Sequence, residues 1–183
     1  EGVSSEELLR QVFQQTDVEG LRIALQRSPS ILRIPMATSP LFQAIQGVRT
    51  SKITEMVQLI LDQGISPDGQ ASDPRSPLSE AAARGLPEII EMLARRGASI
   101  EHKDVLGWTA LVHAVRGNQP SSVAKLIELG ALRRYDYQMN DRITTMNTCV
   151  FVREVLPTTR SERERLSEVR EALRCARRGF LIF

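Results

Sequence analysis

Metal binding or nucleophilic chemistry would have to start from two histidines, His102 and His113, and two cysteines, Cys149 and Cys175. The histidines stand eleven residues apart with no cysteine at metal-ligand spacing, so no metal site is expected from them. His102 is placed in an exposed connector, and His113 on a helix facing a neighbour or a groove. The cysteines read as two buried free thiols. Asp62, Asp68 and Asp73 surround a loop rich in Gly and Pro, but they lack the alternate-residue spacing of a calcium loop. Neither a Gly-x-x-x-x-Gly-Lys phosphate loop nor a Gly-x-Ser-x-Gly elbow occurs. With no convergent set of reactive groups, the chain is expected to be no enzyme and to need no cofactor.

Binding chemistry is better represented. The 183 residues carry 24 Lys+Arg against 22 Asp+Glu, a formal charge of +2, and the cations are 21 Arg and only 3 Lys. That balance argues against a chain whose main business is coating nucleic acid. Aromatic residues make up 4%, with a single Trp, Trp108, while 42% of residues are apolar. A core of this size made mostly from Ala, Leu and Ile suits thin, repeated helix packing. Eight Arg and five Glu intersperse between Arg153 and Arg178, which reads as the solvated face of a helix rather than a nucleic-acid patch. No apolar run approaches the roughly 20 residues of a membrane span. No signal peptide is visible, and it is the cysteines, read as reduced, together with the absence of an Asn-x-Ser/Thr site that lean towards an intracellular protein, cytoplasmic or nuclear. The start at Glu1 looks like that of an excised fragment.

The elements that hold these groups come from an internal repeat. Gly97-Ala98 and Gly130-Ala131 lie 33 residues apart, as do Leu78 and Leu111, and Ala81 and Ala114. A more worn copy runs from Ser39-Pro40-Leu41 through Ala44-Ile45 and Leu59-Ile60-Leu61 to Gly64. It carries four extra residues, placed most economically in Val48–Lys52. Each copy reads as helix, turn, helix. Ser76-Pro77 starts a short helix, Gly85 ends it, and Pro87 opens a second with Ile89, Ile90, Leu93 and Ala94 as its apolar stripe. Gly97 then stands where a left-handed cap is wanted. Near the amino end, Ser4-x-x-Glu7 and Thr16-x-x-Glu19 read as capping boxes of two further helices. Towards the carboxyl end, Met146–Val155 and a helix capped by Ser161-x-x-Glu164 read as a last helical pair.

This order of landmarks resembles the ankyrin repeat: Thr109-Ala110-Leu111 and Ser76-Pro77-Leu78 stand where that family has Thr-Pro-Leu-His. The match is strong over Asp73–Leu132 and looser over Thr38–Asp68. Neither copy keeps His directly after Leu. Ser79 and Val112 take those places, with His113 displaced by one, so the repeats are expected to be held more by packing than by that histidine. The fold class expected is an all-α ankyrin-repeat solenoid of stacked helix-turn-helix units with short inter-repeat hairpin loops. It divides into a degenerate first repeat 1–37, repeats 38–72, 73–103 and 104–136, and a diverged, elongated last repeat 137–183.

What the resemblance implies is a protein-binding surface built from hairpin tips and the groove-facing side of the first helices. Its tips would present Asp73, Arg75, Lys103, Val105, Leu106 and Trp108, its groove Arg84 and Arg116, and the following tip Tyr135, Asp136 and Tyr137. The mixture of Trp, Tyr and Arg is that of binding hot spots. The partner expected is a protein segment, acidic given the basic groups, with no role for nucleic acid, membrane or a small-molecule substrate. Two alternatives stay open. One is an assembly role, docking an enzyme or another subunit through the carboxyl-terminal helices of 146–183. The other is a methyl-lysine reader with a cage drawn from Trp108, Tyr135 and Tyr137.

Overall fold

The computed structural model describes residues 4–47, 51–132, 134–139, 142–147 and 160–173, with 134–139 and 142–147 described by their backbone. Eight helices follow one another in pairs: α1 (Ser5–Gln15) with α2 (Val18–Arg27), α3 (Pro40–Gln46) with α4 (Ile53–Asp62), α5 (Pro77–Arg84) with α6 (Pro87–Arg95), and α7 (Ala110–Arg116) with α8 (Pro120–Glu128). The first helices α1, α3, α5 and α7 pack in that order in one layer, and α2, α4, α6 and α8 form the second. These pairs are the stacked helix-turn-helix units expected from the repeat.

Local chemistry explains where each helix begins and ends. The Ser39 and Ser76 hydroxyls accept from the N–H of Phe42 and Ser79, each at 3.2 Å, and a proline occupies the first turn that follows. Ser4 caps α1 in the same way, accepting from Glu7 N at 3.2 Å. The cap expected at Thr16 sits one residue on. Thr16 is used up closing α1 in the left-handed region (φ 52°), and Asp17 accepts from Gly20 N at 3.0 Å to start α2. At the other end of each unit, Gly97 and Gly130 adopt φ of +90° and +91°. The following amides of Ala98 and Ala131 then reach back to Leu93 O (3.0 Å) and Leu126 O (2.9 Å), which satisfies carbonyls that the helix leaves over.

Packing carries most of the cohesion. Leu78, Ala81 and Ala82 of α5 meet Leu111, Ala114 and Val115 of α7, while Ile89, Ile90 and Leu93 of α6 and Val123 and Leu126 of α8 fill the layer behind, all buried. Small residues set how close the layers come. Gly117 has an ordinary φ, yet a Cβ there would run into the carbonyl oxygen of Ala83, so the end of α7 lies directly on α5. Gly47 does the same for α3 against the Phe13 carbonyl of α1. Across the second layer an ionic ladder links successive repeats: Arg22–Glu55 at 2.6 Å, Asp62–Arg96 at 2.6 Å and Glu91–Lys125 at 3.3 Å. The first two pairs are exposed and the third is half-buried, and exposed pairs add little beside the apolar seam.

The stacked repeats are helical as expected, but the segment that follows them departs from the sequence reading. Residues Arg134–Met139 (β1) and Arg142–Asn147 (β2) form an antiparallel ribbon appended to the solenoid. Tyr135 pairs with Met146 and Tyr137 with Thr144 along its register. Alternating Tyr and β-branched residues favour a pleated strand over a helix at these positions. Met146 and Asn147 therefore end a strand rather than begin the helix expected over Met146–Val155, whose remainder lies outside the described residues, as do Cys149 and Cys175. Helix α9 (Arg160–Ala172) starts one residue before the expected cap, with Ser161 inside its first turn. It lays Leu166, Val169 and Leu173 on α8 and, Glu162 apart, leaves its Arg and Glu side chains in solvent, with Arg160 and Glu164 3.3 Å apart on the surface. That part of the Arg-rich segment is a solvated helix face.

Candidate functional site

The hairpin entering α7 is organised by one carboxylate. Asp104 Oδ1 accepts from the backbone N–H of Leu106 (2.8 Å) and of Trp108 (3.0 Å), which shapes the tip. Its Oδ2 lies 2.7 Å from His113 Nε2, a contact in which the two side chains are 4% and 7% exposed. A carboxylate only accepts, so neutral His113 carries its proton on Nε2. The His113 and Trp108 rings meet in a T-shaped contact, with centroids 5.6 Å apart and planes at 66°. The Arg116 guanidinium covers the same indole at 4.6 Å, within cation–π range. Trp108 is thus half-buried on its own repeat, held between a fixed imidazole and an exposed cation. Beyond it, Val105 (94% exposed) and Leu106 (53%) project from the tip.

The displaced histidine proves to be one of a series. Gln43, Glu80 and His113 each stand two residues after the leading Leu of their helix (Leu41, Leu78, Leu111). Each ties that helix to its own hairpin: Gln43 Nε2 donates to Thr38 O at 3.0 Å, Glu80 Oε2 accepts from Arg75 Nε at 2.6 Å, and His113 binds Asp104. One geometric task is performed by an amide, an ion pair and an imidazole. The histidine's place in the fold was readable, but its partner nine residues upstream was not.

Four of the expected binding residues turn inward or are shared with the fold. Asp73 accepts from the backbone N–H (2.6 Å) and hydroxyl (2.5 Å) of Ser39 in the preceding repeat. Arg75 is engaged by buried Glu80. Arg84 donates to the carbonyls of Ile45 (2.5 Å) and Gly47 (2.8 Å), satisfying the end of α3. Trp108 packs as described. Lys103, Leu106 and Arg116 are exposed on or beside the tip. Tyr135 and Tyr137 lie on β1, outside the described side chains. The hairpins are also laced together one repeat to the next, through Asp68 accepting from Ser99 N and Glu101 from Leu132 N, both at 2.8 Å. These two contacts repeat at the 33-residue period. Among the described residues no group of three or more His, Cys, Asp or Glu is placed to hold a metal ion, and no helix is long and apolar enough to cross a membrane.

Burial pushes the His113 imidazole below its ordinary range. Asp104 pulls the other way, and the positive charges of Arg75 and Arg116 add to the lowering. The unfolded chain then takes up this proton at a higher pH than the folded one. The stability gained from a neutral His113 is complete above about pH 6.5 and declines as the pH falls below it, levelling once the folded imidazole is itself protonated. Urea midpoints between pH 7.5 and pH 5 should therefore fall more steeply for the native sequence than for His113→Gln. Equal slopes would remove His113 as the cause.

Comparison with known proteins gives a consistent picture. A family model described as ankyrin repeats, in three copies, matches residues 37–141. The 26S proteasome non-ATPase regulatory subunit 10 of Dictyostelium discoideum is 33% identical over 88 residues, 48% of this chain and 38% of that protein. The glycerophosphocholine phosphodiesterase gde1 of Schizosaccharomyces pombe is 39% identical over 62 residues, 33% of this chain and 6% of that protein. The chain therefore spans well under half the length of these relatives.

Proposed function

Because the chain belongs to the ankyrin-repeat family, we propose that it is a non-catalytic protein-interaction module that holds an acidic segment of a partner protein against the hairpin tip of α7 and the adjoining groove. The single observation behind this reading is the Trp108–Arg116 pair. The guanidinium lies over the indole while remaining exposed, so its N–H edges can meet a carboxylate, beside Val105 and Leu106 projecting into solvent. A planar fork already stacked on an aromatic loses less freedom when it binds than a loose cation would. Lys103, Leu106, Trp108 and Arg116 would do the recognising. Asp73, Arg75 and Arg84 would hold the frame behind them. The setting proposed is intracellular, and the whole chain is taken as one stack closed by its first and last units.

A second reading draws on a relative whose name makes it a non-ATPase regulatory subunit of the proteasome. In it the chain is an assembly subunit that docks through its carboxyl end, where α9 covers α8. The methyl-lysine cage would need Tyr135 and Tyr137 beside Trp108, and their side chains are not described.

The test is a selection of phage-displayed random twelve-residue peptides against the full chain, followed by fluorescence-polarisation titration of the enriched sequences. Trp108→Ala/Arg116→Glu should weaken those peptides by about thirtyfold or more while thermal unfolding stays cooperative. Unchanged affinity would sink the groove assignment. Enriched peptides that bind a chain truncated after Asn147 less well, yet ignore Trp108, would favour the carboxyl-terminal docking site.

A further inference from the structure

A cleft of about 470 Å³ opens between α1 and α3, at the opposite end of the groove from Trp108. Arg10, Phe13, Gln14, Gln43, Gln46 and Gly47 line it. Its chemistry differs from that of the tip. Arg10 is paired with Glu6 at 3.2 Å and Glu7 at 3.4 Å, and the donors of the neighbouring Arg84 are taken up by the Ile45 and Gly47 carbonyls. What remains is three primary amides, each able to donate and to accept. Gln43 is preset, because its Nε2 is held by Thr38 O and its carbonyl oxygen is left to accept. Gln14 and Gln46 are exposed on the facing helices. These amides carry no charge of their own to select a phosphate or a carboxylate; each pairs a donor with an acceptor, as a peptide group does, and a peptide group is what they complement.

Resting on the groove reading above, we infer that this cleft is a second subsite of the same groove, which binds the main-chain amides of an extended partner segment whose acidic side chain sits at Arg116. The spacing follows from the stack. First helices pack about 8–10 Å apart, so from the cleft between α1 and α3 to α7 is two and a half spacings, roughly 20–25 Å. An extended chain covers that in about six to eight residues at ~3.3 Å each. Between the two ends the charged side chains of α5 are engaged within the protein, Glu80 with Arg75 and Arg84 with the Ile45 and Gly47 carbonyls, so the middle of the segment meets little that would select its side chains. The partner expected is a strand-like stretch with an acidic residue at one end and a free backbone about six to eight residues away, largely indifferent to sequence in between.

The peptides enriched by the selection above provide the probe. Each is resynthesised with its backbone N-methylated at one position at a time, and separately with its acidic residue changed to the amide. The expected result is a loss of about tenfold, the cost of one lost hydrogen bond, from N-methylation confined to positions about six to eight residues from the acid. Gln14→Ala/Gln46→Ala should reproduce that loss and make further N-methylation there silent. Circular dichroism of the Gln variant should be unchanged, since both side chains are on the surface. If the Gln variant binds every enriched peptide as tightly as the native sequence, the cleft holds only solvent and the subsite is overturned while the tip assignment stands. If Trp108→Ala/Arg116→Glu is silent as well, both readings fall.

Discussion

Arg75→Ala should lower the free energy of unfolding by about 3 kcal/mol or more, the cost of removing one partner from a buried ion pair. The pair is tight and one-sided: Arg75 Nε lies 2.6 Å from Glu80 Oε2, and the Glu80 side chain is 5% exposed against 33% for Arg75. Deleting the guanidinium strands a carboxylate on α5 that is only 5% exposed, where water cannot reach it freely. Arg75→Lys keeps the charge but gives up the planar fork, and should fall between the two. The decisive variant is Arg75→Met/Glu80→Met, which removes both charges and keeps volume. It should recover most of the loss, because apolar replacement of a whole buried pair is often close to neutral. Urea denaturation reads all four proteins, provided the slope with denaturant is unchanged. A shift under about 0.5 kcal/mol for Arg75→Ala, the level of an ordinary surface substitution, would mean that Glu80 has other support. The result also bears on function, since a loss of binding in Arg75→Ala would report the frame rather than a contact.

What the sequence made legible was whatever repeats. The 33-residue spacing of Leu78 with Leu111 and of Gly97 with Gly130 located the helices, their capping residues and the tight closures, because each is a local requirement met by a particular residue type. Pairings that cross from one repeat to the next were not legible. Asp73 looked like a free tip acid, yet it serves Ser39 34 positions earlier. Arg84 looked like a groove cation, yet it caps α3 across 37 and 39 positions. A charged side chain in a solenoid has a neighbouring loop within reach on each side, and composition does not say whether it will turn to the loop or to solvent. The ribbon at Arg134–Asn147 is a different case. Its alternating Tyr135, Tyr137, Ile143 and Thr145, with Asn140-Asp141 between, carried a hairpin signal. The sequence reading placed Tyr135 and Tyr137 on a repeat tip and Met146 at the start of a helix, so the two strands went unread.

Asp104→Ala is the substitution expected to strike both stability and recognition. One carboxylate accepts three hydrogen bonds here, from the amides of Leu106 and Trp108 and from His113 Nε2. Bonds to a charged group contribute about 1.5–3 kcal/mol each but do not add when they share an acceptor, so the expected loss is about 4 kcal/mol. Most of it comes from the buried end, where His113 would be left with a donor and nothing to receive it. Asp104→Asn separates the parts. The amide's carbonyl oxygen can still take the two tip N–H groups, and its NH₂ can donate to His113 once the imidazole moves its proton to Nδ1. That change should cost about 1–2 kcal/mol, one charge-assisted bond downgraded to a neutral one. Recognition should follow the tip rather than the total. The Asp104→Asn variant keeps the turn that carries Leu106 and Trp108, so it should bind the selected peptides within a few-fold of the native chain. Asp104→Ala should lose them even at temperatures where its helices remain folded by circular dichroism. If instead both variants bind equally well, the tip does not need its carboxylate to present Trp108, and recognition must lie elsewhere in the groove.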